Sequence, residues 1–177
     1  MNPWHDFDDV RINSNRFISV IEIPKGSKNK YELDKESGML LLDRILYTST
    51  HYPANYGFIP RTLSEDNDPL DVLVLCQEAL EPLSIVECYP IGMITMIDDN
   101  EEDEKIIAIP LKDPFLNNYS DISELPQHQF QEIKHFFEIY KYLENKTTRV
   151  DNIYGHEKAI ESIKKCKKAY NKKYANK

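Results

Sequence analysis

Apolar residues follow two patterns along this chain. Up to about residue 110 they come in short dense runs. Beyond it they recur every three or four positions. The run Phe17-Ile18-Ser19-Val20-Ile21-Glu22-Ile23 is rich in β-branched side chains and stops at Pro24, which predicts a strand. Residues 31–33 and 39–42 flank Asp34-Lys35-Glu36-Ser37-Gly38, a polar turn sequence, and predict a hairpin. Residues 72–76, 85–88, 91–97 and 105–109 are further strand candidates. Several short strands separated by turn chemistry predict a small closed or partly closed barrel.

The second pattern is helical. Phe130, Ile133, Phe137, Tyr140 and Leu143 form one apolar stripe, and Ile160, Ile163, Cys166 and Tyr170 form another. Proline usage agrees, because all ten prolines lie between Pro3 and Pro126. Proline suits strand ends and turns and disrupts helix interiors. The expectation is a β-rich region to about residue 110, then helices. No internal repeat or low-complexity linker interrupts the chain, so residues 1–177 are expected to form one domain.

Composition narrows the class. The 177 residues carry 22 Lys+Arg, 30 Asp+Glu and a net charge of −8. Residues 157–177 hold eight lysines and two glutamates, leaving −14 for the rest. The lysines fall opposite the apolar stripe and in the last turns, which predicts a solvated helix face. An acidic chain is a poor nucleic-acid binder, and no apolar run nears the roughly 20 residues of a membrane helix. Cys76, Cys88 and Cys166 are widely spaced, so free thiols in a reducing cytoplasm are expected. No signal-peptide pattern opens the sequence.

The sharpest chemical feature is Asp66-Asn67-Asp68-Pro69-Leu70-Asp71-Val72, three carboxylates in a proline-stiffened turn before an apolar strand. Carboxylate oxygens in such a turn suit a hard cation such as Mg²⁺ or Mn²⁺. Solvated Asp and Asn in an ordinary turn fit it as well. A calcium loop of the EF-hand type does not, since its sixth position is Asp71 and its twelfth is Gln77. A second acidic stretch, residues 98–104, has six acids in seven positions and is expected to be a loop near the same barrel mouth. Lys30, Arg44, Tyr52, Tyr56, Lys105, Tyr140 and Lys141 supply phosphate donors, although each also fits a plain surface or core role. The five histidines form no metal-binding pair, and neither G-x-S-x-G nor a Walker A motif is present.

Taken in order, these motifs resemble the family I soluble inorganic pyrophosphatases in their short bacterial form. The outline D-x-D-P-x-D-V is met by residues 66–72. Around it stand Val20-Ile21-Glu22-Ile23-Pro24, Lys30-Tyr31-Glu32-Leu33-Asp34-Lys35-Glu36-Ser37-Gly38, Asp43-Arg44, Tyr52-Pro53-Ala54-Asn55-Tyr56-Gly57-Phe58-Ile59, Pro90-Ile91-Gly92 and His135-Phe136-Phe137-Glu138-Ile139-Tyr140-Lys141. The likeness runs from about residue 16 to about residue 165. It departs at residues 148–154, where many bacterial members carry tryptophan and glycine and this chain has neither.

The resemblance implies a mainly β fold with α: a five-stranded OB-type β-barrel with two main C-terminal helices packed around it. It implies Mg²⁺-dependent hydrolysis of pyrophosphate to two phosphates by a metal-activated water, several ions per site, with Mn²⁺ or Zn²⁺ as substitutes. Asp66, Asp71 and Asp103 are the implied principal metal ligands, Asp98 a further one and Glu32 a support. Lys30, Arg44, Tyr56, Lys105, Tyr140 and Lys141 are the implied phosphate clamp, Asp68 the implied general base, and Glu22 and Tyr52 supporting residues. A cytoplasmic homohexamer is implied too. Two rivals are an OB barrel that binds oligonucleotides and a pyrophosphatase relative without activity.

Overall fold

A computed structural model describes residues 1–174; Lys177 of the lysine-rich run lies outside the described residues. The order is β1 (Ile12–Asn13), β2 (Arg16–Ile23), β3 (Asn29–Leu33), β4 (Leu40–Ile45), β5 (Asn55–Ile59), β6 (Leu70–Val74), β7 (Ile85–Asp98), β8 (Glu101–Pro110), α1 (Gln127–Ile139), β9 (Thr148–Gly155) and α2 (His156–Lys173).

Five strands close on themselves. β2 pairs with β5, β5 with β6, β6 with β8, β8 with β7, and β7 returns to β2. Only β6–β8 is parallel. This ring is the expected OB-type barrel. Its strands are covered on both faces, which is why β2 reads as a continuous apolar run. Alternate residues feed two cores. Val72, Val74, Ile106 and Ala108 pack with Trp4, Ile163, Cys166 and Tyr170 of the N-terminal segment and α2. Leu73, Leu75, Ile107 and Ile109 pack with Phe130, Ile133, Phe136 and Phe137 of α1.

Four expectations need correction. The chain returns to β structure after α1, because β9 runs along the exposed side of the long strand β7. This is the segment without tryptophan and glycine, and Gly155 closes it where a Cβ would sit 2.6 Å from Asp121 Oδ2. The apolar stripe of α1 stops early: the helix ends at Ile139, Tyr140 caps it, and Leu143 is exposed. The runs 85–88 and 91–97 are one strand, β7, with a register shift between Pro90 and Gly92. The 98–104 stretch is a hairpin, not a loop. Asp99 and Asn100 both take positive φ, the two-residue turn that matches strand twist, so the acids from Glu101 onward lie on β8.

The lysine face of α2 is mostly solvated, but Lys165 pairs with Glu65, Lys167 with Asp9, and Lys173 donates to Asn67. Cys76, Cys88 and Cys166 are free thiols.

Candidate active site

The barrel mouth is built by register. The parallel pairing sets Asp71 of β6 opposite Lys105 of β8, with Asp103 two residues earlier on the same strand face. Tyr56 on β5 reaches Asp71 diagonally from the other side. The turn before β6 holds Asp66 and Asp68. Asn67 takes a left-handed φ of 68°, the Asp68 amide donates to Asp66 Oδ1 at 2.9 Å, and the Ser64 amide donates to the Asp68 carbonyl at 2.8 Å. The β3–β4 hairpin forms the opposite wall, with Lys30 facing Arg44 in register.

Lys105 is the buried hub, and its side chain is only 3% exposed. It donates to Asp71 at 2.7 Å, Asp103 at 2.9 Å and the Tyr56 hydroxyl at 2.9 Å. Burial alone would lower its pKa, but Asp103 and Asp71 drive it well above the usual lysine range, so it is a fixed cation. Tyr56 is held neutral by burial and donates to Asp71. Burial raises Asp66 above the usual carboxylate range, and Asp68, Asp71 and Asp103 push the same way. Burial raises Asp103 too, against the pull of Lys105. Glu22 accepts the Leu33 amide at 2.7 Å, and burial, then Asp71, push its pKa to about 8.

A cavity of about 190 Å³ opens beside this hub, lined by Glu22, Lys30, Glu32, Tyr56, Asp66, Asp68 and Asp71 among others. Next to it lies a second group. Lys30 pairs with Glu32 at 3.3 Å and Asp43 at 3.1 Å. Arg44 pairs with Asp43 and with Glu144 at 2.8 Å, and Lys141 pairs with Asp98. Tyr140 is buried close to both groups, and its pKa is raised by burial foremost. Tyr52 packs on the Tyr56 ring at 5.4 Å and supports it from the core.

Of the residues singled out from the sequence, the fold places Glu22, Lys30, Glu32, Tyr56, Asp66, Asp68 and Asp71 around the cavity, Asp103 and Lys105 in the hub beside it, Arg44, Asp98, Tyr140 and Lys141 in or near the neighbouring group, and Tyr52 in the core behind Tyr56. Two neighbours were missed. Lys35 lies in a segment that reads only as a turn, yet it lines the cavity and pairs with Asp68. Glu144 lies past the end of α1, where no pattern marks it.

The donor set fits a hard divalent cation. Asp66, Asp71 and Asp103 offer only oxygen, and among the described residues Lys105, on Asp71 and Asp103, is the one cation that pairs with any of the three. Asp98 Oδ1 is buried without a partner, as are Glu144 Oε2 and Arg44 Nη2, so both cation- and anion-binding capacity is unused. Among the described residues no three acidic, histidine or cysteine side chains already stand in a metal-holding arrangement. Lys105 between Asp71 and Asp103, and Lys35 on Asp68, take up the carboxylates instead. An oligonucleotide groove fits poorly, because five acids face the cavity against two lysines, Lys30 and Lys35.

Comparison with known proteins agrees with this chemistry. Residues 19–171 match the sequence profile described as inorganic pyrophosphatase. Soluble inorganic pyrophosphatase 2 of Chlamydomonas reinhardtii is 49% identical over 173 residues, 98% of this chain and 90% of that protein. Soluble inorganic pyrophosphatase 1 of Arabidopsis thaliana is 51% identical over 162 residues, 92% of this chain and 76% of that protein. Among solved structures, the inorganic pyrophosphatase of Helicobacter pylori superposes with a TM-score of 0.88 at 46% identity, covering 90% of this chain and 96% of that one. That of Thermus thermophilus gives 0.86 at 41%, covering 89% and 92%.

Proposed function

Since the chain belongs to the family I soluble inorganic pyrophosphatases and hydrolyses pyrophosphate to two phosphates, we propose how its barrel mouth does so. Asp66, Asp71 and Asp103 are the principal ligands of Mg²⁺, with Mn²⁺ or Zn²⁺ as substitutes; Asp98 takes a further ion and Glu32 supports one. A cation held there would offset the acid cluster and would supply the Lewis-acid chemistry that lowers the pKa of a water toward about 7.

The chain's own groups do the rest. Asp68 sits on the stiff turn between Asp66 and Asp71 and accepts the proton of the attacking water. General-base help of this kind is typically worth about 10²–10⁴-fold. Lys30, Arg44, Tyr56, Lys105, Tyr140 and Lys141 hold the two phosphates, so that the phosphorus stays in line with the water. Arg44 can grip a phosphate bidentately, while the lysines act as point charges. Charge on the departing phosphate is met by these donors, already fixed by the barrel and needing little reorganisation. Glu22 ties the barrel to the hairpin through the Leu33 amide, and Tyr52 backs Tyr56.

The observation that carries this assignment is the hub of Asp71, Asp103, Tyr56 and Lys105, set by the β6–β8 register beside the acidic cavity. Isothermal titration with Mg²⁺ tests it. Asp66→Asn, Asp71→Asn and Asp103→Asn are each expected to weaken Mg²⁺ binding at least tenfold, and unchanged affinity in all three contradicts the ligand set.

We place the enzyme in the cytoplasm as a homohexamer. Three free thiols suit a reducing compartment. No helix among the described residues is long and apolar enough to cross a membrane. Among the described residues the β3–β4 hairpin pairs with no other strand, and it and the segment after it expose Met39, Leu41, Ile45 and Tyr47, apolar surface that suits contact between copies. Light scattering behind size exclusion reads the assembly directly, and a monomer there rejects it.

A further inference from the structure

The cations at the mouth differ in what they have left to give. An ammonium has three N–H donors. Lys105 spends all three inside the protein, on Asp71, Asp103 and Tyr56, and is 3% exposed. Lys30 spends two, on Glu32 and Asp43, and is 20% exposed. Lys35 has one carboxylate partner, Asp68, and its side chain is 49% exposed at the rim of the same cavity. It is the lysine of this cavity with the most donor capacity free, and its partner is the proposed base.

Lys35 is also positioned with care. Its ammonium stands 5.7 Å from the centre of the Trp4 ring, within cation–π range. Its carbonyl accepts the Asn2 side-chain amide at 2.9 Å. Trp4 is fixed in turn, with Nε1 donating to the Thr62 carbonyl at 2.9 Å. The Thr62 hydroxyl takes the Leu70 amide at 2.9 Å, at the first residue of β6. The N-terminal segment thus ties the Lys35 turn to the strand that carries Asp71.

We propose that Lys35 is a further substrate-binding residue: without substrate its ammonium is held by Asp68, and arriving pyrophosphate takes that ammonium and leaves Asp68 free. The exchange is favourable because a phosphate group carries more charge than one carboxylate. This rests on the assignment of Asp68 as base.

The test uses the intact enzyme and the Mg²⁺ complex of imidodiphosphate, a slowly hydrolysed analogue, with affinity read by calorimetry and turnover read separately. Lys35→Ala is expected to weaken analogue binding and raise KM about tenfold, with kcat at saturation within about threefold of the parent, the loss typical of one charge-assisted contact at a half-exposed site. Lys35→Arg is expected to restore both. Asp68→Asn is expected to lose turnover and to keep or tighten analogue affinity, because the competitor for the Lys35 ammonium is gone. Lys35→Ala with analogue affinity unchanged overturns the proposal, and so does a fall in kcat alone with KM unmoved, which would make Lys35 a mere prop for Asp68. Full turnover in Asp68→Asn removes the base assignment instead, while the binding data still decide whether Lys35 contacts substrate. Lys35 is half-exposed on a turn, and thermal melts of both variants confirm that folding is intact.

Discussion

Glu22 offers a quantitative prediction. It is buried at the base of the β3–β4 hairpin, and burial and Asp71 push its pKa from 4.5 to about 8. In the unfolded chain it titrates near 4.5, so between these values the folded protein holds one proton more. Its stabilising contribution is complete below pH 4.5 and is lost as pH rises toward 8. Each pH unit in that window costs about 1.4 kcal/mol, so at pH 7 the loss is about 3 kcal/mol. Glu22→Gln keeps an oxygen for the Leu33 amide and removes the titration. In EDTA, the variant is expected to be about 3 kcal/mol more stable than the parent at pH 7 and equal to it near pH 4. Guanidinium unfolding at four or five pH values measures this. A difference that stays flat from pH 4 to 8 refutes the linkage. In Mg²⁺ the gap shrinks, because neutralised acids around Asp71 make it easier to ionise Glu22.

Three further variants probe other parts of the mouth. Asp68→Asn should lower kcat by about 10²–10⁴-fold and keep Mg²⁺ affinity within a few-fold by calorimetry. Lys105→Met leaves Asp71 and Asp103 facing each other and should cost about 3–5 kcal/mol in EDTA, part of it recovered in Mg²⁺; equal losses in both conditions contradict the charge argument. Gly57→Ala places a Cβ 1.9 Å from the Val20 carbonyl, between β2 and β5. It should destabilise the barrel by about 1–3 kcal/mol or more in denaturant unfolding.

Local pattern carried much of this fold. β2, the β3–β4 hairpin and α2 are visible in the sequence because each buries a face that its own residue spacing declares. The strand β5 was missed as an element because Gly57 and the preceding Pro53 read as turn chemistry. Gly57 is there because β2 passes too close for a side chain. β9 was missed because its pairing depends on the length of β7, a tertiary fact with no local signal. The acidic hairpin read as a loop because charge outweighed the two turn residues, Asp99 and Asn100.

The proposed site was legible for a different reason. Asp66, Asp68 and Asp71 share one turn and one strand start, so their spacing survives folding. Asp103 and Lys105 join them only through the parallel β6–β8 register, which no spacing rule could supply and which the family resemblance carried. Lys35 and Glu144 were hidden because each meets its partner only through the fold, Asp68 and Arg44 far along the chain.

Hydrolysis at this barrel mouth depends on the acid cluster working as a metal site for a polyanionic substrate. The net charge of −8 would otherwise repel pyrophosphate, and bound divalent cations reverse that locally. The most direct measurement is phosphate release from pyrophosphate by purified protein, in EDTA and then across a Mg²⁺ titration. Two phosphates per pyrophosphate, no release in EDTA and recovery with Mg²⁺ are expected. Equal release in EDTA would contradict a metal-dependent site.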